Sequence, residues 1–386
     1  MKNKIYLDYA ATTPVDPRVV REMIPFFSKN FGNTMSLHGF GQEVKKSLGE
    51  SRKLIANFIG AKTSEVIFTG SATESNNFAL KGVAFANKDK GNHIIISSIE
   101  HPCIMESAAW LERQGFEISR LKTDNYGFVD LEELKRSIKK ETILVSIMHA
   151  NNEIGAIQQI QEIGKICKEN GVYFHTDASQ SLGKEGIDVN KMNIDLLTAS
   201  AHKLYGPKGV GLLFVREGTR IEPLLHGGGH EFGLRSSTSN VAGIVGFAKA
   251  CELCEELMVE ETKRLRILRD KLITGILSKI DNSFLNGHPV KRLSNNVNIA
   301  FSFVEGESLL IQLDFLGVAV STGSACSSKK LKSSHVLTAI GLKPNQIQGS
   351  LRFSLGRWTQ EEDIDYVLNV LPGIVEKLRK ISPIKK

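Results

Sequence analysis

Apolar residues along this chain fall into short unbroken runs, separated by stretches in which they recur every three or four positions. The runs EVIFTG (65–70), HIIISS (93–98), FEISRL (116–121), TILVSIMH (142–149), VYFHTDA (172–178), DLLTASA (195–201) and GVGLLFVR (209–216) read as strands. LEELKRSIKK and IQEIGKICKEN, which lie between some of them, have helical spacing. Near-continuous apolar strands alternating with helices predict an α/β fold with a mostly parallel sheet covered on both faces. A long helical pattern opens near Val241 and reads as a connector. Beyond it the rhythm changes to NNVNIAFSF, GESLLIQLDFLG, VAVSTG, GSLRFSLG and a final helix from 359 to about 380, which predicts a smaller α+β domain.

Open parallel sheets bind ligands beyond the carboxyl ends of their strands. In this sequence polar and ionisable residues collect there: GSATESNN, IEHP, ANNEIG, Asp177 with Gln180, and His202 with Lys203. Gly70 permits a tight turn, and Ser71-Ala72-Thr73-Glu74 fits a capping box that starts a helix. Such a start suits a phosphate, or is a simple cap. Asp177 ends an apolar strand; a buried carboxylate there needs a positive partner, such as a protonated ring nitrogen, or else caps the next helix. Lys203 follows 26 residues later, about one βαβ unit. A desolvated lysine is a nucleophile for aldehydes; the alternative is a lysine reaching out to water from a strand end. His101 could lie flat against an aromatic cofactor, or be a satisfied turn residue. The ligand that fits a helix-start phosphate site, a buried acid, a reactive amine and a stacking ring is pyridoxal 5'-phosphate.

Composition narrows the field without redirecting it. Lys and Arg number 49 against 42 Asp and Glu, interspersed apart from an IKK tail that reads as a frayed end, so nucleic-acid binding is not expected. No apolar run approaches the roughly 20 residues of a membrane helix, and the N-terminus lacks the apolar core of a signal peptide. Cys103, Cys167, Cys251, Cys254 and Cys326 form no regular framework, which suggests reduced thiols in the cytoplasm. Cys251-x-x-Cys254 lies inside the long helical pattern with no second pair, so it reads as helix packing. GPKGVG (206–211) and GGGHEFG (227–233) look like phosphate loops, but neither follows a first strand as a dinucleotide fingerprint does, and no Walker sequence occurs.

YLDYAATTP, FTGSATESNN, HANNEIGAIQ, HTDASQSLGK, SAHKLYGPKGVG, GGGHEFGLRSSTSN and STGSACSS, in this order, resemble a cysteine desulfurase of the NifS/IscS group, within the class V aminotransferase family of fold-type I pyridoxal phosphate enzymes. The resemblance runs from about residue 5 to residue 380. It implies a seven-stranded large domain over 14–256, and a small domain over 1–13 and 257–386 that carries a mobile cysteine loop. It implies that Lys203 holds the cofactor aldehyde and Asp177 the ring nitrogen. Gln180 and Asn152 would reach the ring hydroxyl and the substrate, and His101 would stack on the ring and move protons. Ala72, Thr73, Ser200 and His202 would hold the phosphate, and Thr238 would reach the phosphate of the neighbouring subunit of a homodimer. Arg352 would clamp the substrate carboxylate; a planar bidentate donor suits that task, although an arginine on an edge strand needs no ligand.

Cys326 lies among small and polar residues, unlike a core cysteine, and Lys329 and Lys330 nearby favour thiolate. The resemblance makes Cys326 the sulfur acceptor. L-cysteine would become L-alanine, and the resulting persulfide would pass to an iron–sulfur scaffold or another acceptor protein for cluster assembly or thiolation. No resident metal is implied; Cys326 as a transient iron–sulfur ligand stays open. So do a selenocysteine lyase, another aminotransferase, and a non-catalytic sulfur carrier that holds the cofactor. Tyr9 stands where the family often has asparagine, and Thr34-Met35 where proline-serine is expected.

Overall fold

The computed structural model describes residues 4–322 and 333–382. Seven strands form one sheet in the order Val66–Thr69, Gly211–Val215, Leu196–Ser200, Tyr173–Asp177, Thr142–Ser146, His93–Ser97 and Glu117–Leu121. Gly211–Val215 runs antiparallel to both neighbours, and the other pairings are parallel. The exception follows from chain length. A parallel return needs a crossover of about a dozen residues or more, and only a short turn separates Ser200 from its register partner Gly211. Five of the seven strands are buried at every position, as continuous apolar runs require. Glu117–Leu121, at the sheet edge, mixes polar and apolar residues and is largely half-exposed or exposed.

Helix Gly39–Ile59 buries Val44, Leu48, Ile55 and Ile59 along one stripe and stops at Gly60, whose φ of 73° is the left-handed cap that glycine adopts without strain. It packs on helix Val241–Lys279, whose 39 residues span about 58 Å. Phe247, Cys251 and Cys254 of that long helix fill the core beneath the seven-stranded sheet, and Leu265, Leu268, Leu272 and Ile276 fill a second core. Cys251 and Cys254 are buried free thiols in the first core.

The second core rests on an antiparallel sheet of Ser321–Thr322, Ser350–Ser354, Asn296–Phe301 and Ser283–Leu285. The N-terminus belongs to it: Ile5–Tyr6 pairs with Val318–Ala319, and Leu7 is fully buried there. The chain then crosses to the large sheet, where Thr13 donates its backbone N–H to His202 O at 3.0 Å. A compact ion cluster joins the two cores. Arg357 donates from Nε to Glu261 Oε2 and from Nη1 to Asp16 Oδ2, each at 2.9 Å. Tyr205 donates its hydroxyl to Glu261 Oε1 at 3.0 Å and accepts the Arg357 N–H at 2.7 Å. Among the described residues, no helix is long and apolar enough to cross a membrane.

Candidate active site

Asp177 and Lys203 stand at the ends of neighbouring parallel strands, with Asp177 in register with Thr198. Asp177 is 6% exposed; its Oδ1 accepts from Ser179 N at 2.9 Å and its Oδ2 from Asn76 Nδ2 at 2.6 Å. Lys203 closes the short turn Ala201–Lys203, and its Nζ donates to Ala10 O at 2.6 Å and Ala11 O at 2.8 Å. Gln180 Nε2 donates to the same Ala10 carbonyl at 3.0 Å. The N-terminal crossing thus lies directly on the lysine. Thr12 Oγ1 bonds His202 Nδ1 at 3.1 Å, and burial, then Lys203, lowers His202 to a pKa of about 4.

Helix Ala72–Ala86 starts where the SATE box predicts, and Ser71 Oγ accepts from Glu74 N at 3.2 Å. The reciprocal half of the box differs from expectation. Glu74 Oε2 accepts the Gly70 N–H at 2.7 Å, and Oε1 pairs with Arg235 Nε at 2.8 Å. Ala72 and Thr73 occupy the helix start, half-buried and exposed respectively. Gly211 lies against this turn: a Cβ there would stand 2.6 Å from the Ser71 carbonyl carbon and from Thr69 Oγ1. Ser200 Oγ donates to Val210 O at 3.4 Å on the same side. In GGGHEFG, Glu231 is drawn into the core, where its Oε2 and Oε1 accept from Arg52 Nη1 and Nη2 at 2.7 and 2.8 Å.

His101 caps helix Pro102–Arg113, and Cys103 N donates to its Nδ1 at 3.3 Å. Burial lowers its pKa, Asp177 opposes, and Lys203 and His335 add to the lowering. The preceding Glu100 is fully buried and is raised to a pKa of about 8, chiefly by burial. From the second core, Arg352 donates through Nη1 to Asn152 O and through Nη2 to Asp8 Oδ1, both at 2.9 Å. Its Nε is buried without a partner among the described residues. In ANNEIG, Asn151 is the structural member, accepting from Glu153 N and Ile154 N on Oδ1. Thr238 is exposed. Cys326, Lys329 and Lys330 lie outside the described residues.

Five residues of the site escaped the sequence reading. Asp8 holds Arg352, the carbonyls of Ala10 and Ala11 hold Lys203, Asn76 holds Asp177, and Cys103 touches His101. A signal existed for Asn76. It shares the buried face of its helix with Ala79, Leu80 and Val83, where an amide side chain has no place unless it meets a polar partner. No local pattern flags the carbonyls.

This donor set fits pyridoxal phosphate. A buried carboxylate, an amine on the adjacent strand end and an open helix start suit its ring nitrogen, aldehyde and phosphate. The unpaired Arg352 Nε leaves room for one more acceptor. Residues 5–367 match the family model described as Aminotransferase class-V. The cysteine desulfurase IscS of Dictyoglomus turgidum is 53% identical over 386 residues, covering 100% of this chain and 98% of the relative. A solved structure described as a NifS-like protein superposes with a TM-score of 0.92 at 38% identity, covering 97% of this chain and 100% of that one. SspA in complex with cysteine superposes with a TM-score of 0.79 at 36% identity, covering 92% of this chain and 99% of that one. Motifs spread over the whole length, the strand-end architecture and these full-length likenesses agree, and the chain belongs to the class-V aminotransferase family.

Proposed function

We propose that this protein is a pyridoxal phosphate-dependent cysteine desulfurase that converts L-cysteine to L-alanine and carries the sulfur as a persulfide on Cys326. The observation that carries the reading is the pairing of Asp177 and Lys203 on adjacent strand ends, one buried and held by two donors, the other drawn across by the N-terminal crossing. Full-length likeness to proteins named cysteine desulfurase IscS supports the substrate. When bound, pyridoxal phosphate supplies an electron sink for charge at the substrate α-carbon.

The chain's own residues do the rest. Asp177 would hold the ring nitrogen and Lys203 the aldehyde, and the Lys203 amine is the base that would take the substrate α-proton on Nζ. His101, whose proton affinity burial lowers, would stack on the ring and move protons. Gln180 and Asn152 orient the ring hydroxyl and the substrate. Ala72, Thr73, Ser200 and His202 receive the phosphate. Arg352 takes the substrate carboxylate, with Nε available and Asp8 yielding its place. The Cys326 thiolate attacks the substrate sulfur; the new S–S bond forms as the C–S bond breaks, and the electron pair stays on carbon, which is protonated to give alanine. Cysteine and one thiol thus give alanine and one persulfide, with no outside oxidant. The persulfide passes to an acceptor protein, an iron–sulfur scaffold in this reading.

The working form is a cytoplasmic homodimer of chains divided at 14–256 against 1–13 with 257–386. Ile24, Phe27, Phe31, Met35, Leu37 and Phe40 are exposed apolar side chains within residues 24–40, Leu37 by 93%, which a second copy would cover. Thr238 would then serve the neighbouring subunit's phosphate. The test is purified protein plus cysteine, with alanine and persulfide measured for wild type, Cys326→Ala and Lys203→Ala. Lys203→Ala loses the stable yellow adduct and turnover; Cys326→Ala keeps the colour and loses the persulfide. Keto acid in place of alanine, or persulfide formed at the wild-type rate by Cys326→Ala, overturns the reading.

A further inference from the structure

Cys103 has no task in that scheme, yet it sits inside the site. Its Sγ lies 3.0 Å from His101 Nδ1 and 3.1 Å from Asn76 Nδ2. Asn76 is fully buried and gives its other amide hydrogen to Asp177 Oδ2 at 2.6 Å. Turning the Asn76 amide over would set its oxygen against that carboxylate, so Nδ2 faces both partners. The direction of each bond follows. Asn76 donates to the sulfur and to the carboxylate, and the sulfur passes its own hydrogen to His101 Nδ1. The Cys103 backbone N–H points at the same nitrogen, 3.3 Å away. An imidazole nitrogen that accepts from two donors carries no hydrogen, so the neutral ring bears its proton on Nε2.

We propose that Cys103 is a positioning residue, whose thiol joins its own backbone N–H in holding His101 as the Nε2–H tautomer and, through Asn76, ties the orientation of the histidine to the Asp177 carboxyl group. The inference rests on the desulfurase reading only in taking His101 and Asp177 as groups that face the cofactor. Burial, then Asp177, pushes the Cys103 thiol up to about 12, with Glu100 adding to the rise, so the sulfur keeps the hydrogen that it donates. The groups bearing on His101 are Asp177, which favours its charge, and Lys203 and His335, which disfavour it along with burial. A donor on Nδ1 must be displaced before that nitrogen is protonated, so removing the thiol raises the proton affinity of the ring.

The test uses the full chain, with and without pyridoxal phosphate, as wild type, Cys103→Ala and Cys103→Ser. Nitrogen-15 chemical shifts of the His101 ring are followed against pH, beside the pH profile of kcat/KM. Cys103→Ala leaves the backbone N–H on Nδ1 and removes the second donor, so it is expected to raise the proton affinity of His101 about fivefold, the worth of one ordinary hydrogen bond. The acid limb of kcat/KM moves up in step, and Cys103→Ser, which restores a donor, returns both to wild type. A His101 titration unchanged in Cys103→Ala overturns the proposal, as does a serine variant that behaves like the alanine one. The ring-nitrogen signals of the cofactor-free protein decide this even if no alanine is released, an outcome that would defeat the desulfurase reading alone.

Discussion

Two buried polar clusters in this molecule are built on opposite plans. Between the cores, Asp16, Arg18, Tyr205, Glu261 and Arg357 saturate one another: Asp16 takes bidentate bonds from Arg18 at 3.0 and 2.9 Å, and Arg357 adds a third at 2.9 Å. At the strand ends, Arg352 Nε, Asn76 Oδ1, Glu100 Oε2 and Ser179 Oγ are buried with no partner among the described residues. Each such atom costs about 1–3 kcal/mol relative to a bonded one. A fold that satisfies its polar groups at the joint and leaves several open at the sheet edge keeps binding capacity at the edge. The joint holds the two cores together, and the edge awaits a ligand.

The largest expected loss of stability in this contrast comes from the joint. Arg357→Ala takes the arginine from Glu261 and one of three side-chain bonds from Asp16, and should cost about 2–3 kcal/mol in chemical denaturation. Arg18, then Arg357, holds the Asp16 carboxyl well below the usual carboxylate range. A depressed folded pKa gives stability that is present above the unfolded value of about 3.9 and lost as pH falls below it. The deficit of Arg357→Ala should therefore be full at neutral pH and shrink in acid. A loss under about 1 kcal/mol at neutral pH would erase the distinction between the clusters.

Arg352→Ala should behave in the opposite way. It removes an unpaired N–H but also takes the arginine from Asp8 and the Asn152 carbonyl, so stability should fall by about 1–2 kcal/mol, while kcat/KM for cysteine falls about a hundredfold, mostly through KM. Steady-state kinetics and a melting curve on the same preparation separate the two effects.

Glu100→Gln sharpens the picture through pH. Ser97 Oγ and Met148 N donate to Glu100 Oε1 at 2.6 and 2.8 Å, leaving Oε2 to carry the proton. With a folded pKa raised to about 8, its stabilising contribution is complete below the unfolded pKa of about 4.3 and lost as pH rises to about 8. Glutamine copies the protonated acid. The variant should match wild type at acid pH and exceed it by roughly 5 kcal/mol in thermal denaturation above pH 8. Equal stability of the two proteins at high pH would mean that Glu100 ionises freely. Arg18→Ala should have the smallest effect, about 0.5–1 kcal/mol, because its side chain is 40% exposed and Arg357 still serves Asp16.

Much of the site was legible in the strands. A strand positions its last residue by backbone geometry alone, so apolar runs ending in Asp177, Ser200-Ala201-His202-Lys203 and GSATESNN announce a carboxyl-end site before any contact is known. The helix start at Ser71 was legible for the same reason, since capping is local. The single antiparallel strand follows from the short link to Gly211. The partners of these residues were not legible. Glu74 fits a capping box by spacing, yet its carboxylate turns to Gly70 and Arg235.

The sequence by itself determined the order of the elements and the chemistry at each strand end, because periodicity and capping act over a few residues. Only the tertiary structure decided which distant groups meet. Arg352 finds Asp8 across 344 residues, Lys203 finds the Ala10 carbonyl across 193, and Asp177 finds Asn76 across 101. These bonds join segments that approach one another only once both cores are packed and polar groups removed from water must find partners, a requirement that no local pattern records.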